Sequence, residues 1–129
     1  MNLLNSPTDS DSPFKYAAGL MDKFPNDIVL LLSYHENQII GGALNFITNQ
    51  NSCILFYNMI DYNYKDLKPA SLQIYKSLEW AKQNGLSFLD IGVSQLYKGN
   101  KIIPHDSLIN FKEQFGAKAM IRKVMKLKL

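Results

Sequence analysis

Between Asp27 and Ile60 the apolar residues fall into three strand-length runs, "DIVLLLSY", "IIGGALNFI" and "CILFYNMI", parted by the polar stretches "HENQ" and "TNQNS". Runs of this length, β-rich and broken by turn-formers, predict an antiparallel meander of three strands. Their apolar character is more continuous than strict alternation allows, so both faces of the sheet should be covered by helices. Gly41 and Gly42 inside the second run mark a bulge or a close backbone approach.

On either side the period becomes helical. Pro13 to Phe24 places Phe14, Ala17, Ala18, Met21 and Phe24 on one face, with Asp11 or Ser12 as cap and Pro13 in the first turn. A second helix should run from Pro69 to Asn84, with Leu72, Ile74, Tyr75, Leu78 and Ala81 on its apolar side and Gly85 closing it. Trp80 on this helix reads as packing rather than function. "LSFLDI" predicts a fourth strand, and a strand reached through a crossover helix pairs in parallel with the third. "GVSQLYKGNKIIPH" reads as a long functional loop. A third helix should begin at Asp106 or Ser107 and end at Gly116. From Lys118 to Leu127, Ala119, Ile121, Met125 and Leu127 alternate against Lys118, Arg122, Lys126 and Lys128, which predicts a last strand. The order α-β-β-β-α-β-α-β gives an α/β (α+β) fold. Its mixed sheet combines an antiparallel meander with one parallel pair around a crossover helix, helices lying on both faces.

The 129 residues are 47% hydrophobic, enough for one domain with a real core. The exception is the polar start "MNLLNSPTDSDSP", so residues 1–12 read as a flexible segment and 13–129 as the domain. Cys53 is the single cysteine, which excludes an intrachain disulfide or a thiolate metal cluster, and its run makes it a buried small side chain. His35 and His105 have no metal-ligand spacing, so no metal is expected. No apolar run reaches the roughly 18 residues that would span a bilayer, and no basic-then-apolar leader is present. A soluble cytoplasmic protein is the expectation. The net charge of +3 is uneven: from Lys112 onward six basic residues face one acid, Glu113. That asymmetry suits either an anionic ligand or a strand edge guarded by lysines. It comes without interleaved aromatics, so nucleic-acid binding is not indicated.

Standard catalytic motifs are absent; three segments carry what chemistry there is. The start of the second helix offers free N–H groups and a positive dipole end for a phosphate or carboxylate, with Lys65 and Lys68 beside it, unless it is an ordinary capped helix with surface lysines. In "LDIGVSQ", Asp90, Gly92 and Ser94 could place polar groups at a crevice beside the third strand, or Asp90 could satisfy the loop's own backbone. In "INFKEQFGAKA", Lys112 falls inside the apolar arc of Leu108, Phe111 and Phe115. There it either snorkels to solvent or points an ammonium at a carbonyl, a phosphate or the Asp90 carboxylate.

In this order, "AKQNGLSFLDIGVSQ…SLINFKEQFGAKAM" resembles the C-terminal part of the GNAT-type acyltransferase domain in its FemAB-like branch, on Gly85, Asp90, Gly92, Ser94, Phe111, Lys112, Phe115 and Gly116. "GGALNFI" and the helix start at Pro69 also fit, so the likeness spans roughly residues 14 to 127. The resemblance implies that the third and fourth strands splay apart to admit an acyl donor. That donor is acetyl-CoA or another acyl-CoA in GNAT relatives and aminoacyl-tRNA in the FemAB branch. The implied reaction is direct transfer to an amine, small-molecule or peptide, with no metal. On this footing Lys112, Ser94 and Asp90 are the catalytic candidates, and Tyr57, Asn58, Met59, Lys65, Lys68, Ala70 and Ser71 the donor-binding ones. The chain departs from the pattern at three places. "DYNYKDLKPA" has none of the glycines of the pyrophosphate loop. Phe111 stands where a general-acid tyrosine is common. Too little sequence precedes Pro13 for the family's first strand and helix. An unpaired sheet edge implies a homodimer. An N-acyltransferase and a non-catalytic relative that binds a ligand or partner are therefore both open.

Overall fold

The computed structural model of the protein describes residues 13–121 and 125–129. The elements are α1 (Pro13–Lys23), β1 (Ile28–His35), β2 (Gln38–Asn49), β3 (Ser52–Ile60), a 3-10 segment (Tyr62–Leu67), α2 (Pro69–Gln83), β4 (Phe88–Asp90), β5 (Gln95–Lys98), β6 (Lys101–Pro104) and α3 (Asp106–Glu113). They fall into two units, one running to Gly92 and the other from Val93 onward.

In the first unit the strands lie in the order β1-β2-β3-β4. The expected meander is present: β1 pairs antiparallel with β2, and β2 with β3. A two-residue turn joins β1 to β2, with Glu36 at φ 46° and Asn37 at φ 64°. Two successive positive φ values match the twist of a hairpin, and asparagine tolerates them well. The crossover through α2 brings β4 back parallel to β3, in the register Ser52↔Phe88, Cys53↔Leu89, Ile54↔Asp90. The middle of β2, Ile40 to Asn45, is buried on both faces, which is why its sequence does not alternate.

Glycine spacing explains how α2 seats itself. The register slips by one residue at Ile40, between the pairs Ser33↔Gly41 and Tyr34↔Ile39. Beside this bulge a Cβ on Gly41 would collide with the Gln73 Nε2 of α2 and lie 2.6 Å from the Met59 carbonyl oxygen. Gln73 Nε2 donates to Ser33 Oγ at 3.0 Å, across the helix–sheet boundary. The residues of α2 that bury are Pro69, Gln73, Ile74, Ser77 and Ala81, a stripe of small and polar side chains at four-residue spacing.

That stripe corrects one expectation. Leu72, Tyr75 and Leu78 are exposed (50%, 53% and 38%), although their apolar character assigned them to the core. Close approach at Gly41 and Ala43 favours slim residues facing the sheet and turns the bulkier ones outward. Phe24 is likewise about half exposed, past the end of α1, and Ala18 is exposed; among the described side chains of that helix Ala17 is the buried one.

Three further expectations change. "GVSQLYKGNKIIPH" is not a loop. It holds the antiparallel hairpin β5–β6, paired from Gln95↔Pro104 to Lys98↔Lys101 around Gly99-Asn100. The connection "DYNYKDLK" contains the 3-10 segment, capped by Asp61 accepting from the Asn63 N–H. The last strand is absent where it can be seen: residues 118–121 and 125–127 have no regular structure, while 122–124 lie outside the described residues, as do the 1–12 segment and its cap at Asp11 or Ser12. Alternation by itself makes no strand when no neighbour supplies a hydrogen-bond ladder. α3 closes at Glu113, with a turn carrying the chain to Gly116.

Gly41→Ala forces a methyl group against a backbone carbonyl and should cost about 1–3 kcal/mol. Thermal unfolding of the variant should show a melting temperature lower by on the order of 5–10 °C. An unchanged melting temperature would mean that α2 does not sit this close to β2.

Candidate functional site

The parallel pairing of β3 and β4 is short. It ends at Ile54↔Asp90, while β3 runs on to Ile60 paired with β2 alone. The divergence coincides with a second irregularity. The pairs Leu44↔Tyr57 and Asn45↔Leu55 skip Phe56, so β3 carries a bulge two residues past the last one paired to β4. Bulges sharpen local twist and bend the strand that carries them. Phe56 stacks on Phe46 at 4.9 Å and meets the Tyr57 ring edge-on at 4.7 Å, which fixes the bent segment. Tyr57, Asn58 and Met59 follow on the diverging half, each partly buried.

From there the chain passes to the tip of α2. Asn58 Nδ2 donates to the Ala70 carbonyl at 3.2 Å, tying the diverging strand to the helix's first turn. Its Oδ1 is buried without a partner. Lys68, at φ 54°, enters α2 in the left-handed region, and its N–H donates to the Lys65 carbonyl at 2.9 Å. The tip has fewer free donors than an ordinary helix start. Pro69 has no N–H, and those of Ser71 and Leu72 both turn back to the Lys68 carbonyl, at 3.1 and 3.3 Å. Ala70 supplies the donor that remains, with the Lys65 and Lys68 side chains exposed nearby.

At the end of β4, Asp90 Oδ1 accepts from the Gly92 N–H at 2.8 Å. Gly92 has φ 78°, a conformation that costs any residue with a Cβ. Asp90 therefore does what its structural alternative required, satisfying the turn by which the chain leaves the sheet. Cys53 sits beneath this pairing with no exposed surface, its thiol directed to the Phe88 carbonyl at 3.7 Å. Burial pushes that thiol up from its ordinary value, which makes it a poor nucleophile.

The second unit answers the question posed by Lys112. α3 presents Leu108, Ile109, Phe111 and Lys112 as its half-buried positions, and Phe115, in the turn after it, sets its ring edge-to-face with Phe111 at 5.3 Å. Lys112 Nζ donates to the Val93 carbonyl at 2.9 Å. The Ser94 carbonyl accepts from the His105 N–H at 3.0 Å. Both ends of α3 thus hold consecutive carbonyls of the segment that leaves β4. His105 thus acts at the start of α3. Its signal was available, since it precedes "DSLINF" at the position of a helix cap.

The geometry is that of a strand pair opened on one side above a crossover helix. Residues 6–100 match the family model described as the Acetyltransferase (GNAT) domain. The chain belongs to the GNAT acetyltransferase domain family. Solved GNAT-fold structures align over most of it at low identity. An acetyltransferase of Trypanosoma brucei matches at 20% identity and TM-score 0.58, over 87% of this chain and 77% of its own. An aminoglycoside antibiotic 6'-N-acetyltransferase of Acinetobacter haemolyticus matches at 15% and 0.60, over 94% and 83%. A GNAT family acetyltransferase of Elizabethkingia anophelis, with acetyl-CoA bound, matches at 14% and 0.56, over 89% and 64%. No match is found among curated proteins. Within this GNAT domain the expected architecture holds, namely a mixed sheet with one parallel pair and helices. No group of three or more metal-ligating side chains occurs among the described residues, and none of the described helices is long and apolar enough to cross a membrane.

Asparagine keeps the acceptor that Gly92 uses and loses the charge. Asp90→Asn should therefore hold stability within about 0.5 kcal/mol of wild type, while Asp90→Ala should lose about 1 kcal/mol. Urea unfolding of both variants checks this. Equal losses would remove the turn from the account of Asp90.

Proposed function

We propose that this domain moves an acyl group, acetyl in the first instance, from a CoA thioester to an amine. The observation that carries the reading is the early end of the β3–β4 ladder. Past Ile54 and Asp90, β3 keeps backbone groups that no described strand engages on its outer side, which suits an extended amide-bearing donor arm. Bound acyl-CoA would supply the activated thioester. Tyr57, Asn58 and Met59 would lie along its arm. The Ala70 N–H with Lys65 and Lys68 would meet its phosphates, charge standing in for the backbone cradle that missing glycines deny, and Ser71 completes that turn. Asp90 is assigned to take up the amine proton. Ser94 and Lys112 are assigned to hold negative charge developing on the acyl oxygen, an electrostatic task suited to fixed donors. Structures described as aminoglycoside acetyltransferases, and one with acetyl-CoA bound, support an amine acceptor and this donor. The FemAB-like branch rests on the Asp-x-Gly-x-Ser and Phe-Lys-x-x-Phe-Gly patterns.

A second reading, a GNAT domain that binds acyl-CoA or a partner without turnover, is favoured by one arrangement. At the tip of α2, Pro69 has no N–H and the Ser71 N–H is already spent on the Lys68 carbonyl, and Phe111, packed against Phe115, stands where a proton donor is common.

Calorimetric titration with acetyl-CoA, paired with an amine-acceptor assay, separates the readings. Binding with turnover supports the transferase, binding alone the second reading, and no binding rejects the transferase and leaves the second reading only its partner-binding form. Reversing both charges, as Lys65→Glu with Lys68→Glu, should weaken binding about tenfold at low salt and less at high salt, because exposed charges are screened. Lys112→Met should leave affinity within about twofold and lower turnover at least tenfold if its charge serves the transition state.

We also propose a cytoplasmic homodimer. Among the described residues β1 forms one edge of the sheet, with Leu32 and Tyr34 exposed along it, and edges of this kind invite pairing. Light scattering at micromolar concentration should give twice the chain mass; a single chain's mass throughout would reject the assembly.

A further inference from the structure

The β5–β6 hairpin is a two-stranded sheet with no third strand among the described residues. A lone hairpin is marginally stable in water, and a further strand is a common way to complete one. Which edge is open follows from the ladder. The His105 N–H donates to the Ser94 carbonyl at 3.0 Å, and bonded pairs alternate with non-bonded ones along an antiparallel ladder. Leu96↔Ile103 and Lys98↔Lys101 are therefore the bonded pairs. Gln95 and Tyr97 turn their backbone groups outward on β5, and Ile102 and Pro104 turn theirs outward on β6. Pro104 has no N–H, which blunts the β6 edge. The β5 edge keeps a donor and an acceptor at both outward positions.

The side chains set the chemistry. On one face stand Tyr97 and its cross-strand partner Ile102, 73% and 60% exposed. Gln95 Nε2 donates to the Tyr97 hydroxyl at 3.0 Å and orients the ring, a trait of rigid aromatic anchors. On the other face Lys98 stands directly across from Lys101, beside exposed Leu96. Like charges directly opposite destabilise a strand pair, and among the described residues no carboxylate pairs with either lysine. The whole second unit has this sign. From Val93 onward eight lysines and arginines stand against Asp106 and Glu113, whereas the residues before it carry six against nine acids.

We propose that the β5 edge is a docking site for an extended segment of an acidic polypeptide, added as a third strand. Successive side chains of an added strand alternate between the two faces. The segment that fits therefore alternates too. Its apolar residues lie on the face of Tyr97 and Ile102, and its carboxylates lie on the face of Lys98, with Lys101 behind it, where they offset the repulsion. A lipid surface fits less well, because Gly99-Asn100 between two lysines makes the tip of the hairpin its most polar part. A nucleic acid would leave the outward peptide groups and Ile102 unused. The surface requires no acyl transfer and stands under either reading of function.

The probe is a short peptide alternating valine and glutamate, blocked at both ends and titrated into the isotope-labelled full chain. On saturation, amide exchange should slow at Gln95 and Tyr97, whose N–H groups face outward, and change little at Leu96 and Lys98, already bonded within the ladder. Lys98→Glu with Lys101→Glu should weaken the probe on the order of tenfold, because like charges then meet its glutamates, and should favour a peptide with lysine in place of glutamate. Gln95→Pro removes an outward donor that the ladder does not use. It should lose the probe while the cross-strand contact of Leu96 with Ile103 stays visible by NMR. No binding would overturn the proposal. So would binding that leaves the Gln95 and Tyr97 amides unprotected, or that the charge reversal does not weaken. Tighter binding to phosphatidylserine vesicles or to a single-stranded oligonucleotide would overturn the choice of partner, as would a dimer of the chain that Gln95→Pro dissolves.

Discussion

The close seat of α2 on β2 governs the rest of the first unit. A crossover helix must lie flat on the sheet for the strand after it to return parallel beside the strand before it. Here that proximity exists because Gly41 has no side chain and Ala43 a small one, so Gln73 can reach Ser33 and the helix backbone can approach the strand. Once α2 is seated, Asn58 reaches the Ala70 carbonyl and Phe88 arrives opposite Ser52. The opening between β3 and β4 is thus an outcome of a helix–sheet distance set two strands away.

The seat has a cost. Asn45 and Ser77 are fully buried, and their side-chain polar atoms have no hydrogen-bond partner; Gln73 Oε1 and Asn58 Oδ1 share that condition. An unmet buried polar group costs about 1–3 kcal/mol, so this row opposes the burial of Ile40, Leu44, Leu55 and Ile74 around it. An apolar interface would be more stable but would admit more than one helix register. The single complementary pair, Gln73 with Ser33, distinguishes the register observed from a slide by one turn.

In the second unit the same economy of contact takes another form. α3 buries no residue, yet it is held at both ends by hydrogen bonds to neighbouring carbonyls, from Lys112 at one end and His105 at the other. Lys112 is half-buried on the helix, and its ammonium finds a backbone acceptor in the Val93 carbonyl.

Much of the fold was legible in the sequence because it rests on local signals. The three apolar runs, Pro69 and Gly85 bracketing α2, and the two-residue turn at Glu36-Asn37 each act within a few residues, and a crossover helix leaves a parallel pair as the natural outcome. The β5–β6 hairpin carries a signal too, since Gly-Asn is a two-residue hairpin turn, but the length of the whole segment is equally that of a functional loop. Of the candidate site residues, the sequence singled out Asp90 and Lys112 and left each with two roles. Choosing between them needed partners remote along the chain: Val93 lies 19 residues from Lys112, and Ser33 lies 40 from Gln73. Tertiary structure alone decided which face of α2 turns inward, because steric clearance at Gly41 outweighed hydrophobicity at Leu72, Tyr75 and Leu78. It also decided that the alternation after Lys118 forms no strand in the described residues, since a strand is made by its neighbour as much as by its own pattern.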